Sequence, residues 1–577
     1  MASVEVAARA ELLEDDFVDE LRLLAPQEPR QPSRFSDEIT ESDKTFDQML
    51  DFDGATFEKD VTLRNCRFLR GFSFKGATFK GKVVLSGCSV TSAKGNKSAF
   101  DGATFEKSFK AERQSAFYLA SFVGAQFKQS ANFKGSRFYG SAKFDGAHFL
   151  QPASFASAKF NGAGTFVESA FHKTANFDAA KFKYSISHAR FRAAVFKELA
   201  TFDDTEFSGS ADFARANFLR GVTFNSARFC IVTRETEADA EAETTTTKAS
   251  GDLTVNFAEA RFSSDDTGTI ATFERTRFGD HNYRRDVVFD GALFTCARDG
   301  GQCSPVVFKN IETLGHFSMR STFFRRGVNV DFSSARLEGD LDLTDAEFDG
   351  DAYFQKARIS GSVSLAETQF QHYPDFRQVT FSHYPQLHLS KLPPEKYVPS
   401  ERKDTALKIG ALRRIAARTD DKATEQLLLV KELKLAGGVA TRIYGLLSNY
   451  GRSWSRPAMA LLAATVVIYP ALYLGVAGLL PTTREQATML AAYGIPCKGG
   501  TEGSAMAAAV EYSLRNALIV GAENETRSQA IQGCLAQEAR ANGSSLGRSL
   551  LETSQVLITL LLAFFVGAAV RLRLQLR

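Results

Sequence analysis

Tryptophan and cysteine are scarce in this chain, whose 577 residues include one Trp and seven Cys. Seven cysteines in that length are too few for a scaffold held together by disulfides. The motifs of several enzyme classes are also missing: we find no P-loop, no nucleophile elbow, no HExxH and no paired CxxC motif. We therefore expect no enzymatic activity, no cofactor and no metal site.

Net charge is also small. The formal net charge is +3 at pH 7 and the mean hydropathy is −0.18, so overall composition implies no partner and indicates a chain that is mostly soluble. The N-terminus is acidic and lacks the basic and apolar segments of a signal peptide, so we expect no export signal.

Phenylalanine, in contrast, is abundant, with 51 residues against 14 tyrosines. It recurs with alternating spacings of five and six residues, which makes an 11-residue unit. The longest regular run comprises Phe122, Phe127, Phe133, Phe138, Phe144, Phe149, Phe155, Phe160, Phe166, Phe171, Phe177 and Phe182. A fixed short period is typical of repeat proteins, in which each unit buries its apolar side only against its neighbours.

Small residues accompany this period, with Ala often two positions before the large apolar residue and Gly before that Ala, as in Gly54–Ala55 and Gly76–Ala77. A step of five fits neither a helix of 3.6 residues per turn nor the strict alternation of a long strand. Short strands separated by corners satisfy it, because each face can then send one large and one small side chain inward. The pattern therefore predicts stacked, parallel coils.

Units such as FDGATF (52–57), FKGATF (74–79) and SAKFDGAHF (141–149) resemble the pentapeptide-repeat family. This resemblance implies a mainly β fold, a right-handed quadrilateral parallel β-helix. The extra residue in every second unit is shared with a bacterial subclass of the family. We expect the β-helix to span residues 46–392, with about 12–15 coils and a length of about 60–70 Å at ~4.8 Å per stacked strand.

Two segments lie outside this pattern. Residues 1–45 are predicted to form a short amphipathic helix and a Pro-rich linker, which either cap the first coil or dock to a partner. Residues 231–251 are acidic, rich in Thr and without apolar periodicity, so we expect a solvated insertion loop.

The C-terminal third changes to helical patterning. Residues 401–456 are predicted to form juxtamembrane helices, and the apolar segments 457–480 and 550–570 are long enough to be transmembrane helices. The segment 481–549 between them is then an external loop, and residues 571–577 form a basic tail.

Basic residues flank the two apolar segments: Arg452 and Arg456 precede the first, and Arg571 and Arg573 follow the second. By the positive-inside rule both termini are expected to be cytoplasmic, in a plasma (inner) membrane protein with two spans that contact membrane lipids. The motifs NYGRSWSRP (449–457) and RLRLQLR (571–577) also resemble the C-terminal module of membrane-bound bacterial pentapeptide-repeat proteins.

The external loop contains a semi-apolar segment, 505–522, which is predicted to be helical. Two spans with such a helix between them resemble simple two-span channels, in which that helix re-enters the membrane, although no filter motif follows here. Glu511 and Arg515 are four residues apart and suit an interfacial helix equally well. The candidate pore or interfacial residues are Glu511, Arg515, Asn516, Val520 and Gly521.

Four cysteines raise the question of disulfides. Cys497 and Cys534 bracket the 505–522 segment and are disulfide candidates, because the external compartment is oxidising. The rival interpretations are redox-sensing thiols and thiols that never meet. Cys296 and Cys303 flank a Gly-rich loop in the cytoplasmic region, where we expect them to be free.

The resemblance also raises DNA mimicry and gyrase binding, which require an acidic surface. Residues 101–230 contain 17 Lys or Arg and 11 Asp or Glu, a net charge of +6, which argues against that function. The sequence thus predicts a non-catalytic, membrane-anchored cytoplasmic scaffold that binds a cytoplasmic protein partner. The alternative is a channel-like homo-oligomer in which segment 505–522 is a re-entrant pore helix and the β-helix is a cytoplasmic assembly or sensing domain.

Overall fold

The computed structural model describes residues 33–91, 96–183, 189–229, 254–264, 268–279, 284–296, 304–385, 387, 393, 402–451, 453–476, 505–517 and 545–574. The chain divides into two compact units, Met1–Asp421 and Lys422–Arg577. The predicted N-terminal helix, most of the Pro-rich linker and the insertion 231–251 lie outside the described residues.

The first unit is a parallel β-solenoid of about 14 turns, as the Phe period predicts. Its strands are short and pair in parallel with the strands one turn before and one turn after. In the regular part a turn takes 22 residues, so that Phe127 pairs with Phe149 and Phe149 with Phe171. We number the four faces of the solenoid 1 to 4 in chain order.

Face 1 comprises the strands Arg34–Phe35, Thr56–Phe57, Thr78–Phe79, Thr104–Phe105, Gln126–Phe127, His148–Phe149, Ala170–Phe171, Val195–Phe196, Asn217–Phe218, Arg261–Ser264, Leu293–Cys296, Phe323–Phe324, Glu347–Phe348 and Gln369–Phe370. Face 2 comprises Ile39–Ser42, Val61–Arg64, Val83–Ser86, Phe109–Glu112, Ala131–Asn132, Ala153–Ser154, Ala175–Asn176, Ala200–Thr201, Val222–Thr223, Ala271–Thr272, Val306–Val307, Val330–Asp331 and Ala352–Tyr353.

Face 3 comprises Thr45–Phe46, Arg67–Phe68, Ser89–Val90, Ala116–Ser121, Arg137–Lys143, Lys159–Phe160, Lys181–Phe182, Glu206–Phe207, Arg228–Phe229, Arg277–Phe278, Glu312–Thr313, Arg336–Leu337, Arg358–Ile359 and Thr380–Phe381. Face 4 comprises Leu50–Asp51, Phe72–Ser73, Ser98–Ala99, Gly164–Thr165, Ala189–Arg190, Ala211–Asp212, Thr254–Asn256, Asp286–Val288, Phe317–Ser318, Leu341–Asp342 and Val363–Ser364. The strands Ala116–Ser121 and Arg137–Lys143 continue from face 3 onto face 4.

Phenylalanine rings fill the interior of the solenoid. Along face 1 the ring of Phe149 stacks on Phe127 and Phe171, with centroid distances of 4.8 and 4.7 Å and interplanar angles of 2° and 3°. Rings from different faces meet edge to face, as Phe144 and Phe155 do at 5.1 Å and 82°. Both geometries are favourable for aromatic pairs, so one ring per strand produces a continuous aromatic core.

In the regular part of the solenoid, two of the four corners in each turn contain a residue with a left-handed backbone, namely the corners that lead into faces 1 and 3. Gly146 has φ of 64°, which explains the Gly that precedes Ala in many units, since glycine adopts this conformation without strain. Ser157 occupies the equivalent position in the next of these corners, with φ of 55°. The repeat therefore depends on glycine less strictly than it depends on phenylalanine.

A helix that we label α1, Arg402–Arg418, belongs to the same compact unit as the solenoid. Its Asp404 forms an ion pair with Arg377 at 2.9 Å, and its Lys408 lies 3.5 Å from Asp351. One side of α1 buries Ile409, Leu412 and Ile415. Helix α1 therefore covers part of the C-terminal coils, where strands would otherwise lack partners.

The side chain of Asp375 is fully buried at this end of the solenoid. The Arg377 guanidinium donates hydrogen bonds to both of its carboxylate oxygens, and Gln355 donates another. Burial raises the pKa of the Asp375 carboxyl, but these hydrogen bonds outweigh burial and lower that pKa below its ordinary value. Asp375 is therefore a buried anion that depends on Arg377.

The second unit is helical. Its elements are α2 (Lys422–Ala436), α3 (Val439–Ser448), α4 (Ser455–Ala463), a π-helical turn (Ala464–Ile468), α5 (Tyr469–Val476), α6 (Ala505–Ala517) and α7 (Ser545–Leu574). Elements α4, the π turn and α5 form one continuous rod of helix. Helix α7, with 30 residues, is longer than any other helix that the structure describes.

Candidate functional site

Two helices of the second unit are long and apolar enough to cross a membrane, Ser455–Gly475 and Ser549–Arg571. The first consists of α4, the π turn and most of α5, and the second lies within α7. They overlap the predicted segments 457–480 and 550–570. The two helices meet this criterion by their length and composition.

The first of these helices contains the π turn for a local reason. Pro470 has no N–H group, and its ring crowds the carbonyl four residues earlier, that of Val466 in the π turn. Pairs of consecutive buried residues occur at 464–465, 469–470 and 473–474. The spacing between the first two pairs, across the π turn, is five residues, and the spacing to the third pair is four. The extra residue keeps all three pairs on one side of the helix.

Helix α6 packs on that side and also on α7. Its Ala509, Tyr512 and Ser513 are buried, and the ring of Tyr512 meets the ring of Tyr473 edge to face at 5.0 Å and 76°. A buried cluster joins all three elements, with Ala464, Tyr469 and Tyr473 from the first span, Tyr512 from α6 and Leu562 from α7.

A hydrogen-bonded network links the three elements at the level of Tyr473. The Tyr473 hydroxyl donates to Gln555 Oε1 at 2.6 Å and accepts from Asn516 Nδ2 at 3.1 Å. Gln555 Nε2 in turn donates to the backbone oxygen of Ser513 at 2.8 Å and to its hydroxyl at 2.7 Å. One residue of each span therefore bonds directly to α6, and the two spans bond to each other.

Two further tyrosines extend this pattern. The Tyr512 hydroxyl donates to the Glu552 carboxylate, and the Tyr469 hydroxyl lies 3.2 Å from Ser554 Oγ. Polar groups among apolar helices cost free energy unless they are paired. The network thus fixes the position of α6 against α7 and the first span, and it fixes which faces of the two spans meet.

The candidate pore or interfacial residues that the sequence predicted occupy different environments in the structure. Asn516 belongs to the network, whereas Glu511 and Arg515 form an ion pair with each other at 2.9 Å along α6. Val520 and Gly521 lie outside the described residues, as do Cys497 and Cys534. Helix α6 is described from Ala505 to Ala517, which is shorter than the predicted segment.

Sequence reasoning missed Tyr473, Ser513 and Gln555. A signal was present, since Tyr469 and Tyr473 are four residues apart in an otherwise apolar segment and therefore share a helical face. A buried polar residue in an apolar segment is a candidate functional position. The partners of these residues could not be identified, because the three elements are far apart in sequence.

The basic residues that flank the spans are partly described. Arg456 lies in the first turn of α4 and is exposed, and Arg571 lies in the last turns of α7 and is also exposed. Arg573 continues the same helix, and Arg452 lies outside the described residues.

Among the described residues of the solenoid, side chains such as Phe155 and Phe166, which are fully buried, fill the bore. In the part of the chain that the structure describes, no group of three or more His, Cys, Asp or Glu residues is placed to hold a metal ion. Binding by this unit therefore has to use its outer faces.

The cysteine expectation for the solenoid was wrong at one position. Cys66 and Cys88 are free and buried, but Cys296 is disulfide-bonded. The expectation of a free thiol rested on the cellular compartment. The compartment determines whether a disulfide persists, whereas the geometry at the end of the Leu293–Cys296 strand determines whether one can form.

Comparison with known protein families agrees with the repeat geometry. The family described as "Pentapeptide repeats (9 copies)" matches residues 45–89 and 133–181. No curated protein and no solved structure matches the chain. The matched residues form consecutive strands of the solenoid, with one buried Phe or other apolar residue on each face. The β-solenoid of this chain is therefore built from pentapeptide repeats, which the family model matches over residues 45–89 and 133–181.

Proposed function

We propose that the chain is a non-catalytic scaffold that is anchored in a membrane by its second unit and presents the outer faces of its β-solenoid to protein partners in the cytoplasm. The observation that carries the anchoring is the exposed apolar surface of the two candidate spans. The observation that supports a scaffold is the filled bore of the solenoid, which leaves the outer faces for binding.

Large apolar side chains of both spans point away from the bundle. Leu462 and Val467 of the first span are 63% and 58% exposed, and Leu557 and Phe564 of α7 are 62% and 68% exposed. Within the apolar windows of the two helices, 33% and 22% of the residues are buried. The core helix of a soluble protein is mostly buried, so these surfaces require a cover, which lipid would provide.

Helix α3 adds a second apolar surface just before the first span. Val439, Ile443 and Leu446 are exposed and, at positions i, i+4 and i+7, share one face of the helix. Arg442 lies on the same short helix. An amphipathic helix of this kind suits the boundary between headgroups and acyl chains.

The basic flanks favour one orientation, with Arg456 and Arg571 on the cytoplasmic side and the segment between the spans outside. The test uses single cysteines placed at 456, 498 and 571 after the native cysteines have been replaced. In intact cells, a membrane-impermeant thiol reagent should label position 498, which lies outside the described residues, and neither of the other two.

Two results would count against the proposal. Release of the chain from membranes by alkaline carbonate would exclude anchoring by spans. Labelling at 571 without labelling at 498 would invert the orientation and place the solenoid outside the cytoplasm.

A pore is the second candidate function, and the position of α6 favours it. This helix packs on both spans, as the pore helix of a two-span channel does, and Asn516 contributes to the polar network there. A channel of this type needs several copies around an axis. A trimer, tetramer or larger ring of the purified protein in detergent would favour the pore, whereas a monomer would favour the anchor.

A further inference from the structure

The outward positions of face 3 form a single row along the solenoid, because parallel pairing aligns each of them with the next. Eight positions in this row carry Lys or Arg. Six of them have no carboxylate within ion-pair distance among the described residues, and we call these six the basic row: Arg67, Arg137, Lys159, Arg228, Arg336 and Arg358.

The other two basic positions of face 3 are neutralised within it. Lys181 pairs with Glu206 at 3.0 Å, and Arg277 pairs with Glu312 at 2.8 Å. These glutamates are the acidic positions of the same outward row. The unpaired charge of face 3 therefore comes from the basic row.

The other faces lack such a row. The equivalent outward positions of face 1 include two basic residues, Arg34 and Arg261, and those of face 4 include Lys143 and Arg190. The strands of face 2 carry two outward basic residues, Arg64 and Lys110. Among the outward strand positions, positive charge is therefore concentrated on face 3 by the strand register.

The arrangement is electrostatically costly in the isolated protein. Arg137 and Lys159 are paired directly across neighbouring strands, about 4.8 Å apart, and like charges in that position are destabilising. An anionic surface laid along face 3 would remove this repulsion. The row is also continuous in register, since each step from one turn to the next is a strand pairing.

Apolar and aromatic side chains lie beside the N-terminal part of the basic row. Leu69, two residues after Arg67, is 41% exposed, and Leu119 is 38% exposed. Tyr118 and Tyr139 pair across the same face and are partly exposed. Tyrosine and leucine beside Lys and Arg are typical of surfaces that enter the headgroup region of a bilayer, whereas exposed leucines add nothing to the binding of nucleic acid phosphates.

We propose that face 3 of the solenoid binds the surface of an anionic bilayer, with the basic row contacting lipid phosphates and Leu69 and the two tyrosines entering the headgroup layer. This inference rests on the proposed anchoring in one respect. A chain that is held in a membrane meets the surface of that membrane at a high effective concentration, so the anchoring supplies the bilayer that face 3 binds. The second unit retains the chain in the membrane, and face 3 lies against the lipid.

The test uses the full chain held in nanodiscs of neutral phosphatidylcholine and mixed with two kinds of vesicle. One kind is phosphatidylcholine alone, and the other is phosphatidylcholine and phosphatidylglycerol in equal parts. We expect co-sedimentation with the anionic vesicles alone, weakened by rising salt. The triple variant Arg67→Gln, Arg137→Gln and Lys159→Gln should bind about 100-fold more weakly, since each basic residue near an anionic surface contributes about fivefold.

The matched control removes the same number of charges from faces 1 and 4, by Lys143→Gln, Arg190→Gln and Arg261→Gln. It should bind anionic vesicles within about threefold of the unmodified chain, because charge away from the bound face is screened over about a Debye length. Circular dichroism verifies that both triple variants keep the β-solenoid.

Three outcomes would overturn the proposal. If both triple variants bound anionic vesicles equally weakly, binding would depend on the net charge of the protein and not on face 3. Absence of binding to anionic vesicles would exclude the lipid surface. Tighter binding to duplex DNA than to vesicles, lost in the face 3 variant, would assign the row to nucleic acid. Failure of the chain to enter neutral nanodiscs would instead count against the proposed anchoring, so the two failures are distinguishable.

Discussion

Replacement of Phe155 by alanine removes one ring from the middle of the aromatic core. The Phe155 side chain is fully buried. Its ring stacks on Phe133 and Phe177, each at 4.9 Å and 5°, and meets Phe144 and Phe166 edge to face at 5.1 and 5.2 Å. The rings of Phe149 and Phe160 lie farther away, at 6.0 and 6.4 Å. Six rings therefore lose a partner, of which the first four are the close ones, and no side chain on the outer surface is disturbed.

The expected loss is about 3–5 kcal/mol, the usual cost of truncating a buried phenylalanine to alanine. The upper half of that range is favoured here. Each aromatic pair contributes about 0.5–1.5 kcal/mol beyond the area that it buries, and the four close pairs are lost together. The neighbouring rings are held by their own strands, so the cavity has little scope to collapse.

The loss should stay local, because each turn contacts only the turn before and the turn after. Native-state hydrogen exchange measures this turn by turn. We expect faster exchange at the amides of Phe133 and Phe155, which donate to Ser154 and Asn176 at 2.7 Å. Exchange near Phe332, many turns away, should be unchanged.

The control is Lys134→Ala, at an exposed corner of the preceding turn next to Phe133, which should leave exchange unchanged. Unchanged exchange around Phe155 in the alanine variant would refute the inward assignment of that ring. Faster exchange along the whole solenoid would refute nearest-neighbour stability instead.

Arg377→Ala should destabilise the C-terminal turns by about 3–5 kcal/mol, because it leaves the buried charge of Asp375 without its partner. The pKa of Asp375 is lowered in the folded state, so the stabilisation is present above the unfolded pKa of about 3.9 and is lost as pH falls through the folded value. Acid unfolding should therefore show a shift of the midpoint that disappears in Asp375→Asn. Gln555→Leu should free α6 from the two spans, so that a protease cleaves the segment between the spans faster. An unchanged rate of cleavage would show that packing alone holds α6 in place. Non-reducing mass spectrometry should recover a Cys497–Cys534 peptide, a cross-link that contributes about 3–4 kcal/mol; recovery of both as alkylated thiols would exclude it.

The fold of the solenoid could be predicted from particular residues. The five- and six-residue spacing from Phe122 to Phe182 defines inward positions, and every one of these rings is buried. Each turn contacts only its neighbours, so local spacing carries almost all of the information about the fold. The first strand among the described residues begins at Arg34, before the expected boundary at residue 46. The sequence did not predict this strand, because Phe35 lies within a segment rich in proline.

The basic row and the polar network could not be predicted, for one physical reason. Both bring together residues whose separation in sequence is irregular. Lys159 follows Arg137 by 22 residues, but Arg228 and Arg277 are separated by 49, because insertions interrupt the repeat between them. Tyr473 and Gln555 are 82 residues apart. Charge or polarity on a common face becomes visible once the pairing of strands and helices is known.

The 22-residue turn has a consequence for how this protein can change its length. Duplication or deletion of one whole turn would move everything beyond it by about 4.8 Å and return each position to its own face. Addition or loss of a single 11-residue unit would instead rotate the remainder by half a turn. Arg336 and Arg358 would then lie on the side opposite to Arg137 and Lys159. Evolution can therefore adjust the reach of the solenoid freely, but only in whole turns, if its faces are to keep their chemistry.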